Sequence, residues 1–335
     1  MAVRPVAAAF PAGSESHEAG GARYTLTVLR GADLAQLAPF YRATFGRREF
    51  AADWLARKYA CSFGGVEAFS CVAFDERGEP AGAFGILPAP IRFGDRLEVG
   101  GQPVDAATGA AHRRRGLFVR LAEMARETCE AVGISFLYAF PHPAGGSYPG
   151  FVNRLGYSHI DDLLEHRLSV RTPPVERIAR RTPGIRRLYD GYADHVVARR
   201  RARDGVLGNS LLADGFAAVD RDPALHRYKE RFAGSSVLAV PGGRIWARRG
   251  GALYLGDLEA ATEADATRCA DSLHGLARRL GIARVVFQAS RETRFTTLLR
   301  ARFRQGPGLA VVYRDLSSEI PHERLRFTFG DLDNF

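Results

Sequence analysis

The chain is nearly without lysine. Of the 47 basic residues among its 335, only Lys58 and Lys229 are lysines and the other 45 are arginines, so any arginine motif must be weighed against a high background. Cysteine is also scarce. Cys61, Cys71, Cys129 and Cys269 show no C-x-x-C or Cys/His spacing, which argues against zinc and against a disulfide framework and points to a reducing, cytoplasmic setting. Long apolar runs are missing too: the first twenty residues hold only "VAAAF" before Pro, Gly, Ser and Glu, so neither a signal peptide nor membrane insertion is expected. Residues 1–22 read as a flexible arm. What remains is the balance of an ordinary globular protein, with 46% hydrophobic and 25% charged residues. The length suggests two domains, and the net charge of +10 favours anionic partners such as nucleotides, nucleic acid, acidic lipid or anionic substrates.

Regular patterning begins at Tyr24. "YTLTVLR" alternates as a strand, and "ADLAQLAPFYRATFG" and "REFAADWLARKYAC" repeat their apolar residues at helical spacing. Three strand-like runs follow, "AFSCVAFDERG", "EPAGAFGILPAPIRF" and "RLEVGGQPVDAAT", which read as an antiparallel meander. Next comes an amphipathic helix with Leu117, Phe118, Leu121, Met124, Ala125, Thr128, Cys129 and Val132 on one face. "ISFLYAF" reads as a buried strand, "SYPGFVNRLGY" as a short helix and "DDLLEHRLSV" as a strand, giving the order βααβββαβαβ. Between Arg171 and Gly205 ten arginines face four acidic residues, read as a basic helical linker. The pattern βββαβαβ then returns from Asp214, without residue identity, as expected for an internal duplication.

"AAHRRRGLF" is the stretch that carries chemistry. Arginines at a helix start are disfavoured by the helix dipole, whereas free N–H groups beside a glycine bind a diphosphate. A Walker A loop is excluded because no GK[ST] follows, and two of the three glycines of a dinucleotide fingerprint are missing. Arg113-Arg114-Arg115-Gly116-Leu117-Phe118 resembles the Arg/Gln-x-x-Gly-x-Gly/Ala signature of the GCN5-related N-acetyltransferase superfamily, except that Phe118 replaces the last small residue. Thr108 matches the extended form, Ala110 stands where that form has proline, and "FPHPAGGSYPGFVNRLGY" is similar to the family's closing helix. The resemblance covers Tyr24 to about Val170.

The resemblance implies an α/β (α+β) chain of two GNAT-like domains, each a mixed, mostly antiparallel central sheet flanked by helices. The expected boundaries are 23–170 for the acyl-CoA-binding domain, 171–213 for the linker, 214–316 for a second domain without a phosphate loop, and 317–335 for a tail packing on one of them. In that second domain "ATEADAT" puts acid where a diphosphate would go. An amine would attack acetyl-CoA or another acyl-CoA directly, with no metal. The implied cofactor contacts are Ala106, Ala107, Thr108, Arg113, Arg114, Arg115, Gly116, Leu117, Phe118 and Ser147. Asp105 is the candidate base, with Glu98 and His112 as rivals. The family's usual acid, a tyrosine four residues before the Leu-Gly glycine, is replaced by Val152, which leaves Tyr148 as the substitute. Expected partners are acyl-CoA and an amine acceptor, with nucleic acid not favoured, in a monomer or homodimer. An aminoacyl-tRNA-dependent peptidyltransferase and a non-catalytic acyl-CoA or nucleic-acid binder stay open as alternatives.

Overall fold

The structure is a computed structural model that describes residues 10–11, 13–46, 50–299 and 302–335. The chain divides into two compact units, one of residues up to Ile160 with Ala310–Glu323, the other of Asp161–Leu309 with Arg324–Phe335.

In the first unit, β1 (Ser14–Ala19) and β2 (Ala22–Arg30) form an antiparallel hairpin. Gly20 and Gly21 turn it at φ of 58° and 73°, the left-handed pair that a tight hairpin turn requires. From residue 14 onward the expected arm is therefore a strand, and its residues 1–9 and 12 lie outside the described residues. "SESHEA" gave no signal because an edge strand of polar residues is held by its backbone. After α1 (Ala38–Phe45) and α2 (Ala52–Tyr59) come β3 (Phe69–Phe74), β4 (Pro80–Phe93) and β5 (Arg96–Thr108), joined to β2 as an antiparallel meander. α3 (Leu117–Ala131) buries Leu117, Leu121, Ala122, Ala125, Thr128 and Cys129 on the meander, each large apolar side chain contributing about 1.5–3 kcal/mol. β6 (Phe136–Ala139) pairs parallel with β5 at Gly100↔Phe136 and Gly101↔Leu137. "SYPGFVNRLGY" forms a helical turn at Ser147–Pro149 that widens to a π-helix over Gly150–Arg154.

In the second unit, β7 (Ser158–Ser169) contributes its residues from Asp161 onward. It is followed by α4 (Val175–Arg181), α5 (Pro183–Ala198), α6 (Pro223–Ala233), β8 (Ser235–Val240), β9 (Gly243–Gly250), β10 (Ala252–Ala260), α7 (Glu263–Arg279), β11 (Arg284–Ser290), α8 (Arg294–Leu299) and β12 (Arg304–Asp315), of which only the residues up to Leu309 belong to this unit. β8, β9 and β10 are antiparallel neighbours, and β10 runs parallel to β11.

The last strand of each half lies in the other unit. "DDLLEHRLSV", read with the first domain, pairs antiparallel with β11, and residues 312–315, read with the second, pair antiparallel with β6. Both segments carry the same strand pattern, and pattern alone does not choose between two distant partners. The basic segment is likewise part of the second unit's core, where Ala179, Tyr189, Ala193 and Val196 are buried.

Gly100 and Gly101 set how closely β5 can approach β6. A Cβ on Gly101 would lie 2.8 Å from Leu137 Cδ2, with Ile134 and Ile86 at 3.2 and 3.3 Å, and all three neighbours are buried. Gly101→Ala should lower stability by about 1–3 kcal/mol, the usual cost of overpacking, read as a lower urea midpoint. An unchanged midpoint would contradict this packing.

Candidate active site

Beyond Gly101, β5 continues to Thr108 alongside β4, with Ala83↔Ala107 and Gly82↔Thr108 in register. Ala106, Ala107 and Thr108 thereby line a cleft of about 560 Å³ together with Thr44, Phe45, Arg113, Phe118, Gly146, Ser147, Pro149, Gly150 and Arg154.

Of the loop and the start of α3, Arg113 and Phe118 line this cleft, and Arg114, Arg115, Gly116 and Leu117 do not. Arg114 and Gly116 take left-handed conformations, φ 62° and 75°, and curl the loop that enters the helix. Val119 and Arg120 N–H both donate to Gly116 O at 3.1 Å, so the amides ahead of them have no partner within the helix. No side chain caps this terminus and no acid lies in its first turn. The result is a concentration of N–H donors at the positive end of a 15-residue helix, a natural anion site.

The three arginines have different surroundings. Arg113 lines the cleft, its Nε 3.5 Å from Thr108 O, and Arg114 is exposed. Arg115 donates to Tyr24 Oη at 2.9 Å and lies along Gly20. Tyr24 Oη also meets His112 Nδ1 at 3.1 Å, so His112 is held in the loop. Leu117 is buried in the core. Phe118, where the family has a small residue, packs against Phe84 and Phe151 and over Gly150. A Cβ on Gly150 would lie 2.9 Å from that ring, so the glycine leaves the ring its place.

Asp105 occupies a bulge at φ 50°, where the register with β4 shifts. Its Oδ1 takes a 2.8 Å ion pair from Lys58 Nζ, both side chains being almost fully buried. Its Oδ2 accepts from Tyr59 Oη at 3.0 Å. Gly85 makes room for that phenol, since a Cβ there would lie 2.1 Å from it. Burial, followed by the charge of Asp105, pushes the Tyr59 and Tyr41 phenols well above their ordinary pKa, so both stay protonated near neutrality and Tyr59 serves as a donor to Asp105. Asp105 does not line the cleft, and neither does Tyr148, whose hydroxyl meets His159 Nδ1 at 3.0 Å. Glu98 accepts from Ser318 Oγ and Glu319 N, so both its oxygens are engaged. Lys58, Tyr59 and Tyr41 escaped the sequence reading, although a lysine retained in so arginine-rich a chain was a usable signal.

The second unit treats its corresponding elements differently. Thr262 and Asp265 form a capping box at the start of α7, with Glu263 beside them, so amides and charge are already satisfied there. The chain's own tail lies along β10 and β11. Ser290 N donates to Phe327 O, Thr328 bridges Ala289, and a Cβ on Gly256 would lie 2.4 Å from Phe335. Arg221, fully buried, pairs with Asp257 of β10 and Asp331 of the tail. All four cysteines are buried, burial pushing the Cys71 thiol up to about 12 and the Cys269 thiol to about 11. Among the described residues no group of three or more His, Cys, Asp or Glu could hold a metal.

Residues 28–160, which contain the bulged strand, the loop and α3, match the family model for an acetyltransferase (GNAT) domain. That segment of the chain is similar to a GNAT acetyltransferase domain. Solved structures agree in fold. A probable N-acyltransferase of Enterococcus faecalis matches with a TM-score of 0.57 at 10% identity over 87% of this chain and 72% of its own. GCN5-related N-acetyltransferases of Anabaena variabilis and Kribbella flavida match with TM-scores of 0.53 and 0.52, each at 14% identity, over 87% and 88% of this chain and 72% and 71% of theirs. No curated protein sequence matches.

In this GNAT-like domain Lys58→Met leaves a buried carboxylate without its counter-ion and should cost about 3–5 kcal/mol, whereas Lys58→Met with Asp105→Leu should recover much of the loss. Urea unfolding of both variants tests this. A single variant as stable as the parent would contradict the pair's structural role.

Proposed function

We propose that the chain is an acyl-CoA-dependent N-acyltransferase, with acetyl-CoA as donor and an amine on a small molecule, sugar or amino acid as acceptor. The observation that carries this reading is the meeting, in one cleft, of an uncapped, acid-free helix start with a strand edge that has left its neighbour. Amides from Gly116 to Phe118 would hold the diphosphate, and Arg113 would add a charge-assisted contact. Backbone groups at Ala106, Ala107 and Thr108 would pair with the pantetheine arm, with Ser147 on the opposite wall. Arg114 and Arg115 would supply positive charge from the loop. When bound, acyl-CoA supplies a thioester carbonyl to the amine nitrogen.

The chain's own task is then to position the amine, take up one proton from it and return one to the departing sulfur. Asp105 is the proposed acceptor of the first proton, its carboxylate held on the bulge of β5 by Lys58 and Tyr59. Tyr148, with His159 behind its hydroxyl, is the proposed donor of the second. A second reading has a specific observation in its favour. Both oxygens of Asp105 are engaged, as an acyl-CoA-binding protein without turnover would have them.

Release of CoA from acetyl-CoA with a panel of amines separates the two readings. The enzyme reading expects turnover, a kcat in Asp105→Asn lower by about 100-fold or more, and a KM for acetyl-CoA about 10- to 100-fold higher in Arg113→Ala. Tight CoA binding without turnover on any amine would replace it with the binding-protein reading.

A further inference from the structure

Among the described residues, five of the six exposed large hydrophobic side chains come from one short stretch of the second unit. Leu188 is 78% exposed, and Val175, Ile178, Ile185 and Tyr192 lie between 44% and 52%. On α5, Ile185, Leu188 and Tyr192 fall at i, i+3 and i+7, directly beside the buried stripe of Tyr189, Ala193 and Val196. The apolar arc of this helix is therefore wider than the part its own unit covers. Between residues 171 and 188 the sequence carries six arginines and one acid, Glu176, and that acid is buried against Arg180. Arg177, Arg181 and Arg187 have no ion pair among the described residues, and all three are exposed.

From this surface we infer that the α4–α5 corner docks on an anionic lipid bilayer, lying in the interface without spanning it. Ile178, Ile185 and Leu188 would enter the headgroup boundary while Arg177, Arg181 and Arg187 meet lipid phosphates, with Arg186, which pairs with Asp190 at 3.6 Å, beside them. The chemistry favours this occupant over two others. A nucleic acid would use the arginines but has no partner for branched aliphatic side chains, which neither stack on bases nor read their edges. A second copy of the chain in a two-fold contact would set the arginines against their own counterparts. No helix of the described residues is long and apolar enough to cross a membrane, and surface docking needs none.

The test is co-sedimentation of the full chain with vesicles of phosphatidylcholine alone or mixed with phosphatidylglycerol. Binding should appear on the mixed vesicles, weaken as salt rises, and fall by about tenfold or more in Ile185→Asp/Leu188→Asp and in Arg186→Glu/Arg187→Glu. These side chains are exposed, so melting temperatures should not change. Equal binding to both vesicle types, or variants that bind like the parent, would overturn the inference. So would patch variants that alter self-association in light scattering, or RNA binding, while no vesicle binding is seen.

Discussion

Strand β5 is hydrogen-bonded to β6 through Gly100 and Gly101 and then follows β4 alone, and the GNAT-like domain's candidate chemistry depends on that parting. Where two strands run together, their backbone groups satisfy each other. Where they separate, the N–H and C=O groups on the freed edge need another partner, and a strand-like ligand arm can supply one. The bulge at Asp105 sharpens the departure, and Lys58 and Tyr59 hold the bulge from behind. A short loop leads from β5 to α3, and Arg113 of that loop and Phe118 of the helix's first turn line the same cleft as Ala106–Thr108. Geometry and charge thus come from one local decision of the backbone.

The second unit shows what the same plan becomes when its own chain fills it. β10 and β11 also pair in parallel over a few residues, but the segment 327–335 lies against them, anchored by the buried Arg221 with Asp257 and Asp331. Burying three charges is costly unless every one is matched, and Thr328 and Ser210 supply the remaining hydrogen bonds. With Thr262 and Asp265 closing the start of α7, the chain itself satisfies the groups that stand unsatisfied in the first unit.

The sequence carried most of the element order from Tyr24 onward, though not β1 or α6, together with the meander, the buried face of α3 and the position of the glycine loop, because period and turn residues are local signals. It did not carry the exchange of end strands. "DDLLEHRLSV" and "GLAVVYRDL" are equally good strands, and their partners are settled by packing far along the chain. The assignment of Arg113 to the cleft was legible only in part. Three adjacent arginines look alike in sequence, while Tyr24, contributed by β2, decides that Arg115 turns elsewhere. Asp105 could be named as an acid on the strand leading to the loop, but its ion pair could not, since Lys58 lies 47 residues earlier.

The central claim is that acyl-CoA docks on the freed edge of β5 and the start of α3, and that the second unit offers no equivalent. Amide hydrogen exchange with and without acetyl-CoA tests it most directly. The account predicts slowed exchange at Ala106–Thr108 and Gly116–Phe118, with Thr262–Asp265 unchanged. Unaltered exchange in the first two segments, or slowing at the start of α7, would contradict it.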